Sequence, residues 1–288
     1  MRVLVGTQFY AGNPDAMRRQ ALCAASLTAL READAVNIQW RDDRYDRPDV
    51  ETLPLLDRDA AGLVGIAGRR LPIVADLLDA LASTAFARGV RYAAFINSDI
   101  ILTQAAIDRI SGEGRQTYAF SRMDIDPSGA ELSIVHTGVD AFVVDVAWWR
   151  EHQHRFRSYV LGQPCFDNVF TAIMMAHSAD GTVVNRAGEI RHERHPMQFG
   201  GPYARYNFYL AALDAPYFRL WAHYIAALEA MRQQNASAKD EDAMLRRIFV
   251  RRRSPVGAIW HAGRCARARW RYARDRARLI ETAGAAPR

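Results

Sequence analysis

The sequence predicts an α/β protein built on a mixed, mostly parallel sheet flanked by helices, with a helical C-terminal extension. Strand and helix signals alternate through the first hundred residues, the pattern of parallel strands joined by crossover helices. Tyr92-Ala-Ala-Phe-Ile96 is a continuous apolar run, suited to a central strand buried on both faces. Half of the 288 residues are apolar, enough for a sizeable core.

The elements follow in order. Val3-Leu-Val-Gly-Thr7 is a short apolar strand ending in turn-formers, and residues 15–32 carry helical spacing behind the start signals Pro14 and Asp15. Val36 to Trp40 alternates as a strand, whereas the charged stretch 41–58, with Pro48 and Pro54, reads as a long loop. Residues 71–88 form an apolar helical face through Leu71, Val74, Leu77, Leu78, Leu81 and Phe86, stopped by Gly89. Beyond the Tyr92–Ile96 strand the pattern is mixed: strands at 116–121, 139–144 and 182–185, a helix at 167–177 and a loop at 191–201. An aromatic-rich helical stretch at 206–234 and a polar hinge at 235–241 lead to the basic tail. The expected division is a domain at 1–205 and a helical extension at 206–288.

Composition narrows the function. No run of about 18 uncharged apolar residues occurs, and the chain enters strand-like sequence at once, so a cytoplasmic protein is expected. Cys23, Cys165 and Cys265 are far apart and form no CxxC pair, which suggests neither a disulfide framework nor a zinc site. Residues 246–288 hold 13 arginines against Asp275 and Glu281, a net of +11, which leaves −5 for the rest of a chain whose total is +6. The tail is therefore the part suited to phosphate-rich surfaces. Arg264, Arg267, Arg271, Arg274 and Arg278 recur at helical spacing opposite Ala262, Ala266, Trp270, Ala273, Ala277 and Ile280. Such a helix suits an anionic membrane, which would make the protein peripheral on the inner face, or equally docking on the acidic body.

The sharpest chemical signal is Phe95-Ile-Asn-Ser-Asp-Ile-Ile101, a polar triplet at the C-terminal end of the buried strand. Ligands of open α/β sheets bind at that edge. Expelling a diphosphate builds negative charge that a divalent cation on hard oxygen ligands stabilises, and Asp99 is placed to supply such a ligand. An ordinary strand-to-loop turn capped by Asp99 is the alternative.

A strand, a long loop, Gly68-Arg-Arg-Leu-Pro72 opening a helix and Phe-Ile-Asn-Ser-Asp99 together resemble the donor half of GT-A glycosyltransferases, with their Rossmann-like fold and Asp-x-Asp motif. The resemblance covers residues 2–195. It implies Mn²⁺ or Mg²⁺ on Asp99, a ribose-side role for Asn97, which stands where the motif commonly has Asp, and Ser98 within the donor site. It also implies Thr7, Gln8, Phe9 and Tyr10 near the nucleobase and Arg69 or Arg70 near the donor, where the residues alone read as a turn and solvated helix-end arginines.

In His136-Thr-Gly-Val-Asp140, Gly138 permits a close backbone approach and Asp140 a hydrogen bond to a sugar hydroxyl, unless the segment is a turn or bulge. Trp148 with Trp149 suits an acceptor platform or the core. Likeness to GT-A enzymes, which place an acidic residue at the start of a helix beneath the acceptor, implies that Asp167, followed by Asn168 before an apolar helix, is a general base if the reaction inverts or an acceptor-binding carboxylate if it retains; the residues alone read as a helix cap. Likeness to metal-dependent GT-A enzymes would bring a late histidine, His195 or His192, to the cation; their spacing is not that of a zinc helix, and a solvated loop histidine is the alternative. Phe199-Gly-Gly-Pro-Tyr203 reads as a lid or a turn.

The resemblance implies transfer of a hexose-type sugar from a nucleotide-diphosphate donor to the hydroxyl of a glycan or glycolipid acceptor, as in surface glycan synthesis. A sugar nucleotidyltransferase is the rival enzyme, but residues 6–14 lack the Gly-rich, Lys/Arg-terminated cradle a triphosphate needs. A non-catalytic protein using its tail is the rival of another class, and no nucleic-acid partner is expected.

Overall fold

The structure is a computed structural model that describes residues 2–65, 69–185, 188–196, 201–234, 237–249, 266–267 and 270–271. Along the chain run β1 (Val3–Thr7), α1 (Pro14–Thr28), β2 (Ala33–Trp40), β3 (Glu51–Leu56), α2 (Ala60–Val64), α3 (Val74–Ala87), β4 (Tyr92–Ile96), β5 (Ile100–Leu102) and α4 (Gln104–Glu113). They continue as β6 (Thr117–Ile125), β7 (Glu131–Asp145), α5 (Val146–His152), α6 (Phe166–His177), β8 (Thr182–Val184), β9 (Ile190–Glu193), α7 (Gly201–Leu213), α8 (Ala215–Gln233) and α9 (Ala238–Phe249). Two compact units form: one from 1–57, 76–155 and 177–196, the other from 58–75, 156–176 and 197–288. The sequential division expected at residue 205 lies inside the second unit.

The first unit holds the whole sheet, in the order β3-β2-β1-β4-β7-β6-β9-β5, with β8 beside β6. The ladders from β3 through β4 are parallel, as are those of β6 with β8 and β9; β7 runs against β4 and β6, and β5 against β9. This is the mixed, mostly parallel α/β sheet the sequence predicts. The chain leaves β1 for β2 on one side and reaches β4 on the other, so the strand order reverses between β1 and β4. That crevice, at the carboxyl ends of the strands, is where open α/β sheets take their ligands.

Local chemistry explains the boundaries. Asn13 caps α1 by accepting from Ala16 N at 2.9 Å, and Pro14 supplies the preset first turn. The helix stops before residue 32 because Glu32, in the left-handed region at φ 58°, turns the chain so that its carbonyl accepts from Val3 N at 3.0 Å. The expected long loop contains β3 despite Pro54, because β3 is an edge strand and proline is tolerated there. The expected loop at 191–201 likewise begins as β9, whose Ile190, His192 and Glu193 are buried.

Val3, Val5, Tyr92, Ala94, Ile96, Tyr118, Phe120, Ala141 and Val143 build one core against Cys23, Ala24 and Leu27 of α1 and Ala106, Ile107 and Ile110 of α4. A Cβ on Gly6 of β1 would stand 2.1 Å from Leu81 Cδ2 and 2.9 Å from Leu81 Cγ of α3, and Leu81 is fully buried. Gly6→Ala is therefore expected to destabilise the protein by about 1–3 kcal/mol through overpacking. Urea unfolding checks this, and an unchanged midpoint would show that α3 yields.

In the second unit, Asp59 caps α2 at Gly62 N (2.8 Å) and binds Arg70 Nε (2.7 Å). Asn207 of α7 satisfies both backbone groups of Val160, at 2.9 and 3.0 Å, and the carbonyl of Pro164. Phe156, Tyr159 and Phe166 meet Phe170 of α6 edge-on. The helical stretch expected at 206–234 is made of two helices, α7 and α8. They break at Asp214, whose carboxylate accepts from Arg157 Nε and Tyr159 Oη, and Pro216 starts α8. The expected hinge begins α9 instead, where Ser237 and Asp240 cap each other reciprocally.

Among the described residues no helix is long and apolar enough to cross a membrane. The side chain of His136, Phe199 and Gly200 of the expected lid, and most of the arginine stripe between 264 and 278 lie outside the described residues, whereas Gly201, Pro202 and Tyr203 of that lid open α7.

Candidate active site

All of this site belongs to the first unit. β4 ends at Ile96, and the chain turns through Asn97-Ser98-Asp99 with Ile100 N donating to Asn97 O at 3.1 Å, then enters β5. Register does the rest. Ile100 of β5 is paired with His192 of β9, and Asp124 of β6 is paired with the same His192, so Asp99 and Asp124 flank one imidazole from two sides. His195 follows one turn of chain later.

Asp99 Oδ2 lies 3.1 Å from His195 Nε2 and 3.6 Å from His192 Nε2. Burial pushes the Asp99 carboxyl up, but its interactions with the neighbouring His192 and His195 outweigh it and hold the group well below the usual carboxylate range. The same bond to Asp99 raises His195 above its ordinary value, against the opposing effect of burial. One ligand atom from each of Asp99, His192 and His195 lies within 4.8 Å of the others, a cluster with the donors to hold a metal ion. A carboxylate with two imidazoles is a set that Mn²⁺ accepts readily, whereas Mg²⁺ prefers oxygen throughout. A cation there competes with the proton on His195, so acid weakens its binding.

A second layer locks these groups. His192 Nδ1 lies 3.0 Å from Asp124 Oδ1, and Arg122 reaches both Asp124 (2.9 Å) and Asp140 (3.2 Å). Asp140 also accepts from Asn97 Nδ2 at 2.9 Å. Glu193, beside His192, is buried and forms a two-pronged ion pair with Arg18 of α1.

The loop after β1 is pinned by buried amides. Phe9 N donates to Asn37 Oδ1 at 3.1 Å, Phe9 O accepts from Gln39 Nε2 at 2.8 Å, and Gln20 takes both backbone groups of Tyr10. Phe9 is only 1% exposed, with Arg47 over its ring at 5.1 Å, so it is a core residue rather than a nucleobase contact. Thr7 and Gln8 are also buried, yet Thr7 Oγ1 and Gln8 Nε2 have no hydrogen-bond partner among the described residues. Tyr10 is exposed.

The other expected site residues are placed as follows. Ser98 is half-buried in the turn. Asp140 has one oxygen on Asn97 and the other on Arg122, so its expected contact with a sugar hydroxyl gives way to a role inside the protein. Gly138 is buried in β7 beside it. Trp148 is 4% exposed, donates to His177 O at 3.2 Å and stacks on His152, which makes it a packing residue and not an acceptor platform. Four expected residues belong to the second unit. Arg70 pairs with Asp59, the Arg69 carbonyl accepts from Tyr203 Oη, and Asp167 and Asn168 are half-buried in the first turn of α6. Asp167 sits inside that turn, behind Cys165, whose φ of 78° is in the left-handed region.

Sequence reasoning missed Arg122 and Asp124. Their signal is a charged pair at a spacing of two, on one face of a strand that opens with the apolar run Tyr118-Ala-Phe120.

No family model and no curated protein matches the chain. Among solved structures it is similar to residues 1–349 of TarS from S. aureus in complex with UDP-GlcNAc, at 13% identity over 86% of this chain and 70% of that one, with a TM-score of 0.48. The same TarS segment without the ligand gives 11% identity over 87% and 71%, at 0.48. It is also similar to the mannosyltransferase PcManGT from Pyrobaculum calidifontis in complex with GDP-Man and Mn²⁺, at 12% identity over 99% and 79%, with a TM-score of 0.38.

Proposed function

We propose that this chain is a metal-dependent glycosyltransferase that moves a sugar from a nucleoside-diphosphate donor to a hydroxyl acceptor. One observation carries the reading: a carboxylate and two imidazoles converge at the turn that leaves the carboxyl end of β4. Asp99, His192 and His195 would hold Mn²⁺, which when bound supplies positive charge to a departing diphosphate. The protein's own groups bind and orient. Asn97, fixed by Asp140, takes the ribose side. Gln8, with a buried amide that no described residue satisfies, is suited to donate to the nucleobase, and Tyr10 at the mouth of the same loop to cover it.

On the acceptor side we assign Asp167, whose place in the first turn of α6 favours its ionised form. It takes the acceptor proton as the hydroxyl becomes acidic during attack. A glycan or glycolipid is the acceptor class this reading supports.

A thermal-shift series with UDP, GDP, CMP and dTDP sugars tests the proposal, with Mn²⁺, with Mg²⁺ and without metal. A donor at about a hundred times its dissociation constant stabilises the folded form by about 2.7 kcal/mol. For a chain of this size that amounts to several degrees in Tm. The expected result is one donor class that raises Tm, more with Mn²⁺ than with Mg²⁺. No shift from any nucleotide under any condition would overturn the reading.

A further inference from the structure

Behind the cation ligands runs an unbroken line of polar side chains: Asn97, Asp140, Arg122, Asp124 and His192. Its middle is nearly closed to solvent, with side-chain exposures of 9% for Arg122, 10% for Asp140 and 5% for Asp124. Burying three ionic groups carries a large desolvation penalty before their mutual attraction is counted, and apolar residues of similar volume often serve stability as well. The arrangement must therefore be sought in what it holds.

At one end, Asp124 Oδ1 accepts from Arg122 Nε at 2.9 Å and faces His192 Nδ1 at 3.0 Å. A carboxylate only accepts, and of the two that flank the ring Asp124 is the one within hydrogen-bond distance, Asp99 standing 3.6 Å from Nε2, so the proton of a neutral His192 ring is drawn to Nδ1. Nε2, on the side of Asp99, then keeps its lone pair. Two carboxylates around one guanidinium also leave one negative charge directly behind the imidazole.

Building on the metal reading above, we propose that Asp124 is the positioning residue of the cation site: it fixes the tautomer and ring orientation of His192, and Arg122 fixes Asp124 in turn. Outer carboxylates of this kind typically govern metal affinity by about 10–100-fold. Asp140 provides the internal control. It shares the same guanidinium and comparable burial, but it touches Asn97 instead of a histidine.

The test is Mn²⁺ binding to the full chain without any sugar donor, followed by electron paramagnetic resonance and calorimetry in the wild type, Asp124→Asn and Asp140→Asn. Asp124→Asn is expected to weaken binding by about 10–100-fold, with Asp140→Asn unchanged within replicate scatter although both lose similar amounts of Tm. A wild type that binds no Mn²⁺ overturns the metal reading and this proposal with it. A wild type that binds while the two variants behave alike overturns the proposal alone. Should Asp124→Asn fail to fold, ¹⁵N resonances of His192 in the metal-free wild type decide the matter. A ring protonated at Nδ1 supports the assignment, and one protonated at Nε2 refutes it.

Discussion

Replacing Asp99 with alanine is expected to cut turnover of the nucleotide sugar more than about a hundredfold, at least ~3 kcal/mol in the barrier, because charge stabilisation at a leaving diphosphate carries that much. The loss should fall on kcat rather than on the fold. Asp99 lies in a half-buried turn whose backbone bond, Ile100 N to Asn97 O, needs no side chain, and β4 and β5 pair with β7 and β9 without it. Steady-state kinetics beside a melting curve checks both halves. A folded variant with near-full turnover would remove Asp99 from the mechanism.

The second large effect is expected at Asp167. Asp167→Asn keeps the size and most of the polarity of a residue in the first turn of α6, so its stability cost should stay near the ~0.3–1 kcal/mol of a charge at a helix N-terminus. Loss of a positioned proton acceptor costs about 10²–10⁴-fold in rate. The ratio of the two losses decides. A fall in activity no larger than the fall in stability accounts for would assign Asp167 to the helix alone.

What the sequence made legible follows the range over which its signals act. β1, β4 and α6 announce themselves through local periodicity, and the structure has them within a residue of the expected bounds. β3 and β9 were hidden for opposite reasons. Pro54 reads as a breaker until the strand is known to be at an edge, and Ile190–Glu193 is too short and too charged to alternate visibly. The polar triplet at 97–99 stood out because it interrupts apolar sequence. Its convergence with His192 and His195, more than ninety residues away, depends on β5–β9 pairing that no local pattern encodes. Conversely, Trp148 looked like a ligand-facing residue because aromatics serve cores and platforms alike, and only burial separates the two uses.

The sheet's edges bear on how the protein behaves in a crowded solution. An exposed strand is a template on which another chain can add itself, the first step toward aggregates and fibrils. Here one border is β3, where Pro54 offers no N–H to an incoming strand, and the others are β5 and β8, each only three residues long. The proline that disguised β3 in the sequence thus also protects it, by breaking the hydrogen-bond ladder that self-association would need.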